Sequence, residues 1–285
     1  MSVIAIDLGG TKVAAASVSA RGSLHGRIEE PVDHTSVDAT VEQIVRMANQ
    51  IGGDAIGVAV PGLARRDGTV WAPNLSGWDR VPLARELKRA LRIPAFVESD
   101  RNAVALGESW AGAARGKSDV VVLIVGTGIG AGILSGGTLV RGAHELSGCA
   151  GWMIVGDQEN VATKSKGALE ALAAGPAIAR AFGAPSAAHV AELARSGDRI
   201  ARKTFADAAR HLGRAVANLV SLFDPEVVVL TGGLASAADL FLDDVKRTAH
   251  EYAQPLSFPD IDIVVSTLGT EANLLGVARL ALESR

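Results

Sequence analysis

At 285 residues the chain exceeds what one small domain needs, and two packed lobes with a full hydrophobic core are the expectation. With 28 lysines and arginines against 31 aspartates and glutamates and a net charge of −3, there is no basic excess to engage nucleic acid or an anionic membrane surface, which leaves a small molecule as the expected partner. A single cysteine, Cys149, excludes an internal disulfide framework and suits a reducing, cytoplasmic setting; no signal-peptide pattern opens the sequence, and the apolar run 120–134 falls short of the roughly 20 residues of a membrane span.

Residues 3–6 form a short apolar run ended by Asp7 and the pair Gly9-Gly10, after which 13–18 resumes in strand-forming residues. That pattern predicts a strand, a tight turn and a returning strand. Val41, Ile44, Val45 and Met47 follow helical spacing, and 55–60 reads as a buried strand stopped by Pro61-Gly62. Leu83, Leu87 and Leu91 line one face of a second helix, 95–98 is strand-like, and Asp100 begins a helix running towards Trp110. The small and basic residues 112–118 mark a boundary between lobes.

A strand over 120–125 then meets Gly126-Thr127-Gly128-Ile129-Gly130 and returns over 131–134, repeating the plan of the N-terminus. After a loop-rich stretch to about Lys166, helices are expected over 167–182, near Ala188 and over 200–222. A strand over 226–230 runs into Thr231-Gly232-Gly233 and a further helix, and a last strand over 261–265 precedes a terminal helix from Glu271. Hairpins followed by helix–strand alternation, occurring twice, indicate a duplicated α/β architecture.

Three glycine turns fit phosphate chemistry. In DLGGTK, Gly9 and Gly10 let the backbone approach a phosphate, Thr11 and Lys12 add donors, and Asp7 can hold a magnesium ion, usually through water. GTGIGAG, with Gly126, Thr127, Gly128 and Gly130, offers a second cradle; Gly232 and Gly233 stand where helix N-terminal amides can face a nucleotide. Each turn alone is equally an ordinary hairpin or loop. Two motifs are excluded by context: the second turn lacks the last glycine of a dinucleotide fingerprint and lies in a hairpin, and AGAARGKS, which approaches a Walker A loop, follows a helix and precedes a strand, the reverse of the required order.

Together with VPGLARRDGTVWAPNLSGW, ESDRNAVALGE, LVRGAH, GALEALAAGPAIAR and DPEVVVLTGGL, these segments resemble the ROK family of sugar kinases and repressors, within the actin, Hsp70 and hexokinase superfamily, over nearly the whole chain. The resemblance implies an α/β fold of two ribonuclease H-like (actin-like ATPase) lobes with a central cleft where ATP and a sugar meet. Residues 1–115 with the terminal helix 272–285 would form the sugar-side lobe, and 116–271 the lobe carrying the second phosphate hairpin and the adenosine site. It implies ATP-dependent phosphorylation of a hexose or modified hexose, a magnesium cofactor and a homodimer. Asp100 becomes the general base, because a hydroxyl attacking a γ-phosphoryl group needs a positioned carboxylate to take its proton. On local sequence alone, Asp100 is explained as a helix cap. Gly62, Asn74, Ser99 and Glu170 take acceptor-side positions, with Ser99 in place of the family's asparagine.

The family's acceptor grip of a glutamate and a histidine is altered here to Cys149 and Trp152 within SGCAGWMIV, and no cysteine or histidine follows between Gly156 and Gly167, so no structural zinc is expected. An indole in place of an imidazole offers an apolar face to a sugar ring or an acyl methyl group, or else fills the core that the zinc site vacates. The first reading predicts a modified or less hydroxylated hexose or a related polyol as acceptor. The competing functions are a sugar-responsive repressor, for which the first strand at Val3 leaves no preceding helix-turn-helix, and a catalytically weak sugar sensor or scaffold, against which the retention of Asp7, both hairpins and Asp100 argues.

Overall fold

Alternation along the first strand sets up the first unit. In β1 (Ser2–Leu8), Ile4, Ile6 and Leu8 join a core of bulky residues, while Val3 and Ala5 join a separate core rich in alanine. Period-two geometry sends these sets to opposite faces of the sheet. Asp7 shares the register of Val3 and Ala5.

The computed structural model describes residues 2–156 and 161–284. It divides into two compact units: one runs to Gly116 and includes Leu139–Ser147 and the chain from Leu268, and the other comprises Lys117–Thr138 and Gly148–Thr267. In the first unit β1 pairs antiparallel with β2 (Lys12–Ser19), which pairs antiparallel with β3 (Leu24–Pro31). On its other side β1 pairs parallel with β4 (Ile56–Val60), which pairs parallel with β7 (Ala95–Ser99), giving the order β3-β2-β1-β4-β7. A short hairpin of β5 (Leu63–Ala64) and β6 (Val70–Trp71) follows β4.

Helices α1 (Val37–Ile51) and α2 (Leu83–Leu91) cover the bulky face through Ile44, Met47, Leu83 and Leu87. The alanine face is covered by α10 (Ala272–Glu283) and α3 (Asp100–Ala111), which contribute Leu274, Val277, Ala278 and Ala103. Small side chains let these backbones approach closely. A Cβ on Gly276 would overlap the carbonyl oxygen of Ala103, and one on Gly107 would overlap that of Ala272. Gly276→Ala therefore overpacks a rigid helix crossing, costing about 3 kcal/mol. The expected readout is a fall in melting temperature of roughly 5–10 °C; an unchanged transition would show that the crossing yields without strain.

The second unit repeats the plan. β8 (Val120–Val125) and β9 (Ile129–Ser135) form an antiparallel hairpin, and β11 (Val227–Thr231) and β12 (Asp262–Val265) extend the sheet in parallel. With β10 (Thr138–Leu139) the order is β10-β9-β8-β11-β12, matching the hairpin-plus-parallel order of the first sheet. Its helices are α4 (Val161–Lys166), α5 (Ala168–Ala173), α6 (Gly175–Phe182), α7 (Ala187–Arg195), α8 (Arg199–Phe223) and α9 (Leu242–Tyr252). Asp198 caps α8 by accepting from the amides of Ile200 and Ala201, and α8 packs along α9.

The helix expected over 167–182 is two helices. Gly167 precedes α5, and α6 starts afresh at Gly175 with Pro176 in its first turn, where a missing amide costs nothing. The helix expected after Thr231-Gly232-Gly233 is a 3-10 helix, Gly233–Leu240, broken at Ala237. Among the described residues no helix is long and apolar enough to cross a membrane.

Candidate active site

In the first unit two carboxylates stand at the carboxyl ends of parallel strands, where open α/β sheets place their ligands. Asp7 lies near the end of β1, and Asp100 opens α3 directly after β7. The helix cap is Ser99: its hydroxyl accepts from the Asn102 amide at 3.4 Å, and its side chain is 2% exposed. Asp100 is thereby released from capping, and its Oδ1 accepts from the Arg101 amide at 2.8 Å. Burial pushes the Asp100 carboxyl above its ordinary value, with that amide opposing.

Asp7 is pushed up to about 6, chiefly by burial; a hydrogen bond from Asn273 opposes the shift and the charge of Asp100 adds to it. That bond, Asn273 Nδ2 donating to Asp7 Oδ1 at 3.0 Å, comes from the first turn of α10. A buried carboxylate whose charge is opposed by desolvation and by a second carboxylate is a place where a divalent cation is favourable, and magnesium commonly takes only one or two protein carboxylates besides phosphate oxygens. Asp7 fits such a role.

The turn after Asp7 is closed by the Gly9 amide donating to the Lys12 carbonyl at 2.8 Å. Gly10 faces Asn74: a Cβ placed on Gly10 would lie 3.7 Å from that of Asn74, so the structure brings together a phosphate-side and an acceptor-side candidate. Thr11 is exposed. Lys12 turns its ammonium to Glu29 at 2.7 Å, with most of its side chain in water. Gly62 follows β4, its amide donating to the Val60 carbonyl at 2.9 Å.

In the second unit the Gly126 amide donates to the Gly128 carbonyl at 2.9 Å, closing the hairpin, and the Gly126 carbonyl accepts from the Gly175 amide at 2.9 Å. Gly232 has φ +92°, and a Cβ there would lie 2.5 Å from the Val125 carbonyl oxygen, so only glycine lets β11 turn back over the hairpin. A Cβ on Gly126 would sit 3.7 Å from the Gly233 amide nitrogen. These three segments border a cavity of about 440 Å³ whose lining includes Gly126, Thr127, Gly175, Pro176, Gly233 and Ala237. Gly128 and Gly130 lie further along the hairpin, Gly130 opposite Ile124 in β9.

Glu170, in the first turn of α5, lies against Gly128 and Gly151, and its Oε2 accepts from the Ile129 amide at 2.9 Å. It thus connects the glycine hairpin to the loop carrying Cys149 and Trp152. In that loop the Trp152 amide donates to the half-buried Cys149's carbonyl at 3.0 Å. Trp152 is 59% exposed, so its indole does not fill a core. Of the stretch 156–167 on which the zinc expectation rests, 157–160 lie outside the described residues.

The ROK family pattern matches residues 3–284. The chain belongs to the ROK family. It is 32% identical to the glucokinase of Thermotoga maritima, across 99% of this chain and 98% of that protein. A ROK hexokinase from Thermus thermophilus superposes with a TM-score of 0.85 at 33% identity, covering 100% of this chain and 99% of that one. A ROK family glucokinase from Streptomyces griseus, in complex with glucose and AMPPNP, superposes with a TM-score of 0.84 at 28% identity over 99% of this chain and 100% of that one. The fold is therefore that of the ROK sugar kinases. Sequence reasoning missed Glu98, Asn102, Arg141 and Asn273, which contact each other or the site from distant points of the chain, and Pro176, whose place after a glycine was a readable helix-start signal.

Proposed function

We infer that this ROK-family chain is a sugar kinase that transfers the γ-phosphoryl group of ATP to a hydroxyl of a hexose or modified hexose, with Asp100 as general base. Asp100 accepts the hydroxyl proton as the oxygen attacks phosphorus and ADP departs. The observation that carries this reading is the release of Asp100 from capping by Ser99, which leaves a half-buried carboxylate of raised basicity beside Asp7. Magnesium, held by Asp7 through water, would offset charge on the phosphates. The glycine hairpins and the cavity beside Gly126 and Gly233 would take the nucleotide, with backbone amides as donors. A homodimer is part of the same reading, checked by light scattering in solution.

Exposure of the Trp152 indole supports an acceptor that offers an apolar group to it. In a panel of glucose, mannose, deoxyhexoses, N-acetylhexosamines and polyols with coupled ADP detection, a modified or less hydroxylated acceptor is expected to give the highest kcat/KM. Glucose emerging as clearly the best acceptor would reject that assignment and leave the kinase reading in place.

A further inference from the structure

We propose that Arg141 and Glu98 form a positioning pair that holds the junction of β7 and α3, and with it Asp100, in the geometry the reaction needs. The inference rests on Asp100 being the base. Glu98 is only 4% exposed and lies two residues before Asp100. Its Oε2 accepts from Arg141 Nε at 3.0 Å and Nη2 at 2.8 Å. Its Oε1 accepts from the Ser99 amide and from Asn102 Nδ2, both at 2.9 Å. One carboxylate thus grips the last residue of the strand and the first turn of the helix, and Asp100 lies between the two points gripped.

Both guanidinium bonds converge on Oε2 and anchor that oxygen, while Oε1 is held by Ser99 and Asn102, so the carboxylate is fixed at both ends. Glu98 is buried but Arg141 is one-third exposed, and since apolar replacement of an ion pair is often neutral for stability, the contribution that distinguishes this pair is geometric. Arg141 belongs to Leu139–Ser147, which packs with the first unit although the chain on either side belongs to the second. The loop is folded around this arginine: the Ser147 amide donates to the Arg141 carbonyl at 3.1 Å, and Glu145 pairs with Arg66 at 3.0 Å.

The test compares Arg141→Met, Arg141→Lys, Glu98→Gln with Arg141→Met, and Asp100→Asn in steady-state kinetics of the full chain, with melting temperatures alongside. The expected result for Arg141→Met is a loss in kcat on the order of 10²-fold, as for sub-ångström to ångström misplacement of a reacting group, with KM for ATP within about twofold. Arg141→Lys should be intermediate, and the Glu98–Arg141 double variant no worse than Arg141→Met, because the two act as one unit. A kcat for Arg141→Met within about twofold of wild type overturns the proposal. So does a loss that merely follows a lowered melting temperature with KM for ATP rising in step. Full turnover by Asp100→Asn would instead reject the base itself; a loss in Arg141→Met beside it would then mean that the pair acts through another group, which also overturns the inference as stated.

Discussion

Asp100→Asn is expected to lower kcat by on the order of 10³-fold while leaving KM for ATP within about twofold, because it removes the proton acceptor and nothing that holds the nucleotide. The fold should be untouched. Asparagine keeps the shape and can still accept from the Arg101 amide, and the cap of α3 is Ser99, so no cap is lost. Had Asp100 been the cap, its replacement would have cost helix stability. The wild-type pH profile carries a second check. The Asp100 carboxyl is raised by burial, so it stays protonated, and idle as a base, to a higher pH than an exposed aspartate. The acid limb of kcat should therefore lie above the ordinary aspartate range, and it should vanish in the residual activity of Asp100→Asn. Equal turnover in the two proteins would sink the assignment.

The features legible in the sequence are those written in local pattern. The apolar run ended by Asp7, the Gly9-Gly10 and Gly126–Gly128 turns and the recurrence of the same plan in the second unit announced both sheets. β3 was not announced: on the edge of its sheet, LHGRIEEP exposes alternate and consecutive positions and carries a glycine and four titratable side chains, so it has no apolar period to read. The break between α5 and α6 was readable from Gly175-Pro176 but was masked by an apolar run that continues through it. The 3-10 geometry after Gly232 depends on a turn tight enough to bring its backbone against Val125, a contact made between neighbouring strands rather than within a window of sequence.

The site itself was legible only in its individual parts. Asp7, Asp100 and the glycines could be picked out by type and order, but the contacts that set their behaviour span the chain. Asn273 meets Asp7 from the last helix, Arg141 meets Glu98 across a segment that leaves and rejoins the second unit, and Glu170 reaches the Ile129 amide. Periodicity carries no information about such pairs. Ser99 shows the converse: a residue read as an acceptor contact is buried under the helix it caps, and what it does for Asp100 follows from that cap.

Asp7→Asn should separate stability from activity in opposite directions. In the metal-free protein the Asp7 carboxyl is raised to about 6 from 3.8. A carboxyl raised on folding means that the folded state holds its proton more tightly than the unfolded state, so stability is greatest below the unfolded value and falls as pH rises through about 6. Above that pH the charge is a net cost to folding of about 2–3 kcal/mol. Asparagine cannot ionise, and its side-chain oxygen can still accept from Asn273 Nδ2. The variant should therefore be more stable than wild type at pH 8 in the presence of a chelator, with the difference shrinking towards pH 4. Catalysis should go the other way: without a charge to hold magnesium beside the phosphates, kcat should fall on the order of 10²- to 10³-fold. Chemical denaturation at the two pH values and turnover at saturating magnesium read the two effects independently. A variant no more stable than wild type at pH 8 would show that the Asp7 charge is already compensated within the protein. That would remove the electrostatic reason for a cation at this carboxylate, since the burial of the Asp7 charge, to which Asp100 adds, is what a bound cation would relieve.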